Sequence, residues 1–278
     1  MNWNLVNRLQ QRTEREIGVS RADPGARTGF ALVFPNEYHL GMANLGFQII
    51  YREINRRADT ACERAFLPSP GDIREHRRTG TPLMTLENLR PLADFPLVGF
   101  AISFELDYFH VLDILELGRI PLLSVERSEA QPIVIAGGPC ATFNPEPLTP
   151  FVDVFVIGEG EEVIQELLDV YHDRKNNSAS RADILRALAG VPGLYVPAFA
   201  AKTAEFFRAG AAVDWPRFME LATNHHVLPL VQRALKTLPE IVPASWAGRL
   251  RACQTAIAAY NLRAEATLRR LQERLAAD

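Results

Sequence analysis

At 278 residues the chain has room for one large domain or two small ones, and an apolar fraction of 47% is enough for a packed core. A formal charge of −3, from 30 basic and 33 acidic residues, excludes the strongly basic surface of a nucleic-acid coat or a polybasic membrane anchor. Three scattered cysteines, Cys62, Cys140 and Cys253, exclude a disulfide scaffold, a zinc ribbon and a three-cysteine iron–sulfur motif, and point to a reducing, cytoplasmic setting.

The first residues mix Trp3, Leu5, Val6 and Leu9 with Arg8, Arg12 and Glu14, so they lack the apolar centre of a secretion signal. No apolar run approaches the roughly 20 residues of a membrane span. A soluble protein with no membrane partner is expected, and nucleic acid is not indicated as a partner. Leu5 to Ile17 has helical spacing and is followed by the punctuation of Pro24-Gly25. Phe30 to Phe34 is a compact apolar run closed by Pro35-Asn36, the pattern of a buried strand running into a loop.

Met42 to Arg57 carries Phe47, Ile50 and Ile54 at helical spacing, which predicts one helix. Ala61 to Leu67 follows as a second strand and Asp72 to Arg78 as a short helix. The unit then repeats. Leu97 to Ile102 is a strand, and Leu106 to Leu117 a helix with Phe109, Leu112 and Leu115 expected to face inward. Ile133 to Ala136 is a strand ending in Gly137-Gly138-Pro139, and Val152 to Ile157 is another ending in Gly158-Glu159-Gly160. Glu161 to Tyr171 is the next helix, with Val163, Ile164, Leu167 and Leu168 inward, and Lys175 to Ser180 is a polar loop. Ala182 to Leu188 is a short helix, and Gly190 to Pro197 a turn and strand.

Apolar strands alternating with amphipathic helices define the fold class as α/β: a Rossmann-like, flavodoxin-like doubly wound parallel sheet of about five strands. The alternation stops beyond Arg174, and from Val213 the pattern is purely helical. There Leu250, Cys253, Ile257, Tyr260, Ala264, Leu268, Leu271 and Leu275 form one stripe of a long last helix. The expected organisation is an N-terminal helix over residues 1–24, an α/β domain over 25–197, a linker over 198–212 and a small all-α segment over 213–278.

In an open parallel sheet, ligands bind outside the carboxyl ends of the strands. Four such ends carry unusual residues here: 35–42 after the first strand, 103–106 after the third, Gly137-Gly138-Pro139 after the fourth, and 158–161 after the fifth. Small residues at successive ends let a flat or phosphorylated group approach the backbone, although glycine after a strand is also the plain way to turn into a helix. Gly158-Glu159-Gly160 is no dinucleotide fingerprint, because a third glycine is missing and the strand is the last; a P-loop is absent too.

The segment from Phe30 to about Pro197 resembles the N-terminal domain of a family of cobalamin-binding-type radical SAM proteins. The stretches that carry the likeness are Phe34 to Tyr38, Gly41 to Gly46, Glu63 to Pro68, Gly99 to Leu106, Ile135 to Cys140, Asn144 to Pro147, Ile157 to Glu162 and Gly193 to Pro197. The resemblance implies a Rossmann-like domain that binds cobalamin and precedes a radical SAM barrel, so a radical SAM domain or protein is the implied partner. It implies cofactor contacts at Asn36, His39, Gly41, Met42, Ser103, Glu105, Gly137, Gly138, Gly158 and Gly160, with Ser103 and the glycine pair beside the nucleotide tail and the glycines sparing it a clash. No catalytic residue and no protein metal ligand is assigned.

Two departures shape the expectation. The C-x-x-x-C-x-x-C cluster motif of the barrel does not occur in these 278 residues, so no iron–sulfur cluster is expected on this chain and no catalysis by it alone. The base-off cobalamin motif D-x-H-x-x-G is approximated by Glu37-Tyr38-His39-Leu40-Gly41, with the glycine one residue early. His39 is therefore either a cobalt ligand or, the preferred reading, a loop histidine without that role.

Residues Asp214 to Ala222 and His226 to Leu230, with the long helix from Arg249, resemble the helical start of an uncharacterised nucleotidyltransferase family. That family's Gly-Ser and paired aspartates, which would hold metal and triphosphate, do not occur after this point. Adjacent His225 and His226 point about 100° apart on a helix and cannot face one metal together. Two partial resemblances suggest a fusion, a remnant or a truncated frame. The alternatives carried forward are a binding or regulatory module for a ligand other than cobalamin, and a fragment of a nucleotidyltransferase.

Overall fold

In the computed structural model, the described residues are 2–17 and 24–199, together with the single position 248. The expected helical segment 213–278, the histidine pair at 225–226 and most of the expected linker lie outside them. Residues Met1–Ala201 form one compact unit.

The elements alternate as the apolar pattern requires. They run α1 (Trp3–Glu14), β1 (Thr28–Phe34), α2 (Tyr38–Ala43), α3 (Leu45–Asn55), β2 (Thr60–Phe66), α4 (Pro70–Thr79) and β3 (Leu97–Ala101). Then come α5 (Asp107–Leu117), β4 (Ile133–Gly137), α6 (Pro139–Phe143), β5 (Val154–Val156), α7 (Gly160–Asn176), α8 (Arg181–Leu188) and β6 (Leu194–Tyr195). The strand order is β2-β1-β3-β4-β5-β6. All pairings are parallel except the last, where β6 runs antiparallel to β5. This is the doubly wound order in which the chain reverses direction between β1 and β3, and the crevice at that reversal opens at the carboxyl edge.

Two cores cover the two faces, because alternate side chains of each strand point to opposite sides. Phe30, Leu32, Leu97, Ile135, Val154 and Val156 face α3, α7 and α8, meeting Phe47, Ile54, Ile164, Leu167 and Ile184. Ala31, Val33, Val98, Phe100, Val134, Ala136 and Phe155 face α5, meeting Val111, Ile114 and Leu115. The outer edge of β2 is closed by the segment after α4: the Leu86 N–H donates to Arg64 O, and the Arg64 N–H donates to a Glu87 carboxylate oxygen. An edge capped in this way offers no free ladder to another chain.

Three local expectations are corrected. The single helix expected over Met42 to Arg57 is broken at Asn44, whose backbone is extended (φ −85°, ψ 111°) and whose side chain caps α3 by accepting from the Phe47 N–H at 2.9 Å. Asn is a strong N-cap residue, and the cap satisfies an amide that a continuous helix would bond elsewhere. Phe109 is 71% exposed rather than inward. The inner stripe of α5 is Asp107, Val111, Ile114 and Leu115, because Asp107 turns in to Asn36 and His110 at the first turn and sets the phase. Finally, α7 continues through Lys175 and Asn176, which the polar pattern had placed in a loop.

Candidate functional site

The face covered by α3 and α7 is not completely filled. A cavity of about 380 Å³ opens at the carboxyl edge, its floor made by β1, β3, β4 and β5 and its roof by α3 and α7. The cause is side-chain size. Gly99, Ala101 and Gly137 occupy floor positions where β3 and β4 would otherwise carry core side chains, as Leu97 and Ile135 do farther down the same strands. Phe30, Leu32, Phe47, Ile50, Ile135, Val156 and Ile164 make the apolar walls. The polar side chains of the lining are Asn44, Ser103 and Glu161, at the carboxyl-edge end.

The glycines differ in what they do. A Cβ on Gly99 would lie 2.7 Å from the Phe30 ring, so Gly99 is the bed on which that ring rests. A Cβ on Gly137 would make only ordinary contact with Val156, 3.4 Å away, so Gly137 opens directly onto the cavity. Gly138 has φ +97°, and a Cβ there would approach the Ile102 carbonyl oxygen to 2.7 Å; its requirement is one of backbone geometry, not of ligand space. Gly160 lets the start of α7 approach the Ile50 side chain, where a Cβ would come within 3.1 Å. The Gly158 N–H donates to Thr142 Oγ1 at 3.1 Å.

Of the residues marked from sequence, Ser103, Gly137, Gly138, Gly158 and Gly160 line the cavity. Asn36, His39, Gly41, Met42 and Glu105 do not. Asn36 donates to Asp107 Oδ1 at 2.9 Å, and the His110 ring shares that oxygen at 3.3 Å. Asp107 Oδ2 is buried without a hydrogen-bond partner. His39 stands exposed on α2, its Nδ1 3.6 Å from a Glu37 oxygen. Gly41 is a packing glycine: a Cβ would lie 2.6 Å from the Phe66 ring. The Met42 sulfur lies 3.1 Å from an Arg64 guanidinium nitrogen. Glu105 is exposed on the loop after β3.

Sequence reasoning missed Asn44 and the apolar walls. Asn44 Nδ2 donates to Ser103 Oγ at 3.1 Å, linking the loops after β1 and β3 at the cavity mouth. An Asn directly before an apolar helical run was the available signal for that cap. The two described cysteines are both buried. Burial, then the Glu105 and Asp107 carboxylates, push the Cys140 thiol up to about 11, and burial holds the Cys62 thiol well above its ordinary value. Both are protonated at neutral pH and unsuited to nucleophilic chemistry. Among the described residues, no group of three or more His, Cys, Asp or Glu could hold a metal ion. Among the same residues, no helix is long and apolar enough to cross a membrane.

The cavity lies at the carboxyl edge of a doubly wound sheet, the edge at which sheets of this class take their ligands. The family described as radical SAM proteins, N-terminal, matches residues 46–197, more than half of the chain, and the chain belongs to it. It is also similar to an uncharacterised protein of Methanocaldococcus jannaschii, with 22% identity over 141 residues. That alignment covers 50% of this chain and 26% of the relative, so the chain spans about a quarter of the length of that curated protein.

Proposed function

We propose that this chain is a cobalamin-binding accessory domain of a radical SAM protein, holding the nucleotide tail of the cofactor in the cavity between the sheet and α3 and α7. The observation that carries the reading is the cavity itself: an apolar cleft of about 380 Å³ at the edge where doubly wound sheets take their ligands. In this reading the cleft takes the tail and not the corrin. The corrin would remain outside, against the exposed side chains of Phe104 and Leu106 on the loop after β3 and of Leu45, Phe109 and Phe143 on α3, α5 and α6. Apolar side chains gathered at one edge are what a large flat partner or a second domain would cover.

The residues present suit such a tail. Gly137 leaves the floor open, and Phe30, Ile135, Val156 and Ile164 give an aromatic base dry walls. Ser103 and Asn44, hydrogen-bonded to each other, put polar groups at the mouth where a ribose would pass. When bound, cobalamin supplies a cobalt centre for group or electron transfer beside a partner barrel. The chain's own part is to bind and orient. His39, exposed on α2 and outside the cavity, is not needed for this.

The test is an absorbance titration of the whole chain with hydroxocobalamin. Saturable binding at micromolar ligand supports the proposal, and no binding at high micromolar ligand moves the assignment to a module for another ligand. Reductive cleavage of S-adenosylmethionine by this chain alone is not expected, since its three cysteines are isolated. The nucleotidyltransferase resemblance of residues 213–278 contributes none of that family's metal-binding aspartates to the chain.

A further inference from the structure

We infer that the cavity selects among cobamides by their lower base, accepting a benzimidazole and rejecting a purine; this rests on the tail-binding reading above. The inner part of the cavity is lined by Phe30, Leu32, Ile135, Val156 and Ile164, none of which carries a side-chain hydrogen-bonding group. Within the ladders the backbone does not substitute for one: the floor strands pair as far as Ala101–Gly137 and Ala136–Phe155, so their N–H and C=O groups up to those pairs are engaged. The polar groups of the lining, Asn44, Ser103, Glu161 and the first turn of α7, lie beyond them at the mouth. At the mouth, Asn44 Oδ1 accepts from the Phe47 N–H and its Nδ2 donates to Ser103 Oγ, which holds that amide in the cap.

A dimethylbenzimidazole entering this space presents carbon edges and methyl groups to apolar walls, with one free ring nitrogen that a purine carries as well. An adenine entering it presents an exocyclic amine and further ring nitrogens that leave water and find no side-chain partner on the inner walls. A buried polar group left unpaired weakens binding by roughly tenfold to a hundredfold. The discrimination therefore comes from the absence of polar partners, not from the shape of the space.

The experiment measures equilibrium dissociation constants of the whole chain, by absorbance or equilibrium dialysis, for cobalamin, for the cobamide with adenine as lower base, and for cobinamide, which lacks the nucleotide. Expected is cobalamin binding at least tenfold tighter than the adenine cobamide, with cobinamide weakest. Failure of cobalamin to bind at all refutes the tail-binding reading and this inference with it. Cobalamin and the adenine cobamide binding equally, both more tightly than cobinamide, overturns the inference alone and leaves the function standing.

A Val156→Thr variant tests the cause. Val156 lies on the wall beside Gly137, and threonine keeps its shape and strand preference while adding a hydroxyl. The ratio between the two cobamides should narrow several-fold. An unchanged ratio in a folded variant would show that the missing polar partner is not what discriminates.

Discussion

Replacing Gly137 by leucine should make the protein more stable and unable to bind cobalamin, two effects of opposite sign from one side chain. The Gly137 backbone is an ordinary strand conformation, and its Cβ would meet only Val156 at 3.4 Å, so the new side chain enters open space. Removing a strand glycine contributes about 0.5–1 kcal/mol through the unfolded chain. Burying most of a leucine against Val156, Ile135 and Ile164 contributes about 1.5–3 kcal/mol. Fixing its rotamer costs about 0.5–1 kcal/mol. The net gain is about 1–3 kcal/mol, a rise of about 3–10 °C in Tm for a domain of this size. The assay is a thermal melt of wild type and variant, followed by the hydroxocobalamin titration. A Gly137→Leu protein less stable than wild type would refute the preformed cavity. One that binds cobalamin as wild type does would place the tail elsewhere.

His39→Ala should leave stability within about 0.5 kcal/mol and cobalamin affinity within about threefold, because the ring is exposed and outside the cavity; a tenfold loss of affinity would make it a ligand. Glu87→Gln should destabilise by about 3 kcal/mol in a denaturant titration. Glu87 holds the buried Arg64 guanidinium at 2.6 Å, and Glu16 alone would be left to balance that charge; an unchanged midpoint would refute this. Stability should begin to fall above about pH 9, where the Cys62 and Cys140 thiols, raised by burial in the fold, ionise in the unfolded chain, and fall more steeply between about pH 10 and pH 12. The steeper part arises because burial pushes Tyr38, Tyr108 and Tyr195 up to about 12 in the folded state, above the unfolded value, so the neutral phenol favours the fold until it titrates. Melts at increasing pH check this, and Tyr38→Phe should shallow the decline; a Tm constant through pH 12 would contradict the assignment.

The α/β alternation was legible because strands buried on both faces must be apolar throughout, as β1 and β3 are. The edge that carries the cavity was legible too, since parallel strands put all their carboxyl ends on one side, and Ser103, Gly137, Gly138, Gly158 and Gly160 all line it. Which small residue opens space was not. Gly41, Gly99, Gly137 and Gly138 look alike along the chain, yet one packs on Phe66, one carries the Phe30 ring, one leaves room for the Ile102 carbonyl, and only Gly137 of the four gives its volume directly to the cavity. That difference is set by what stands across the next strand or above the next helix, a neighbour distant in sequence. The same holds for Asn36 and Phe109. Asn36 binds Asp107, 71 residues on, and the inward turn of Asp107 fixes the phase that leaves Phe109 in solvent. Periodicity determines that a face exists; tertiary packing alone decides which residues fill it and where it stays empty.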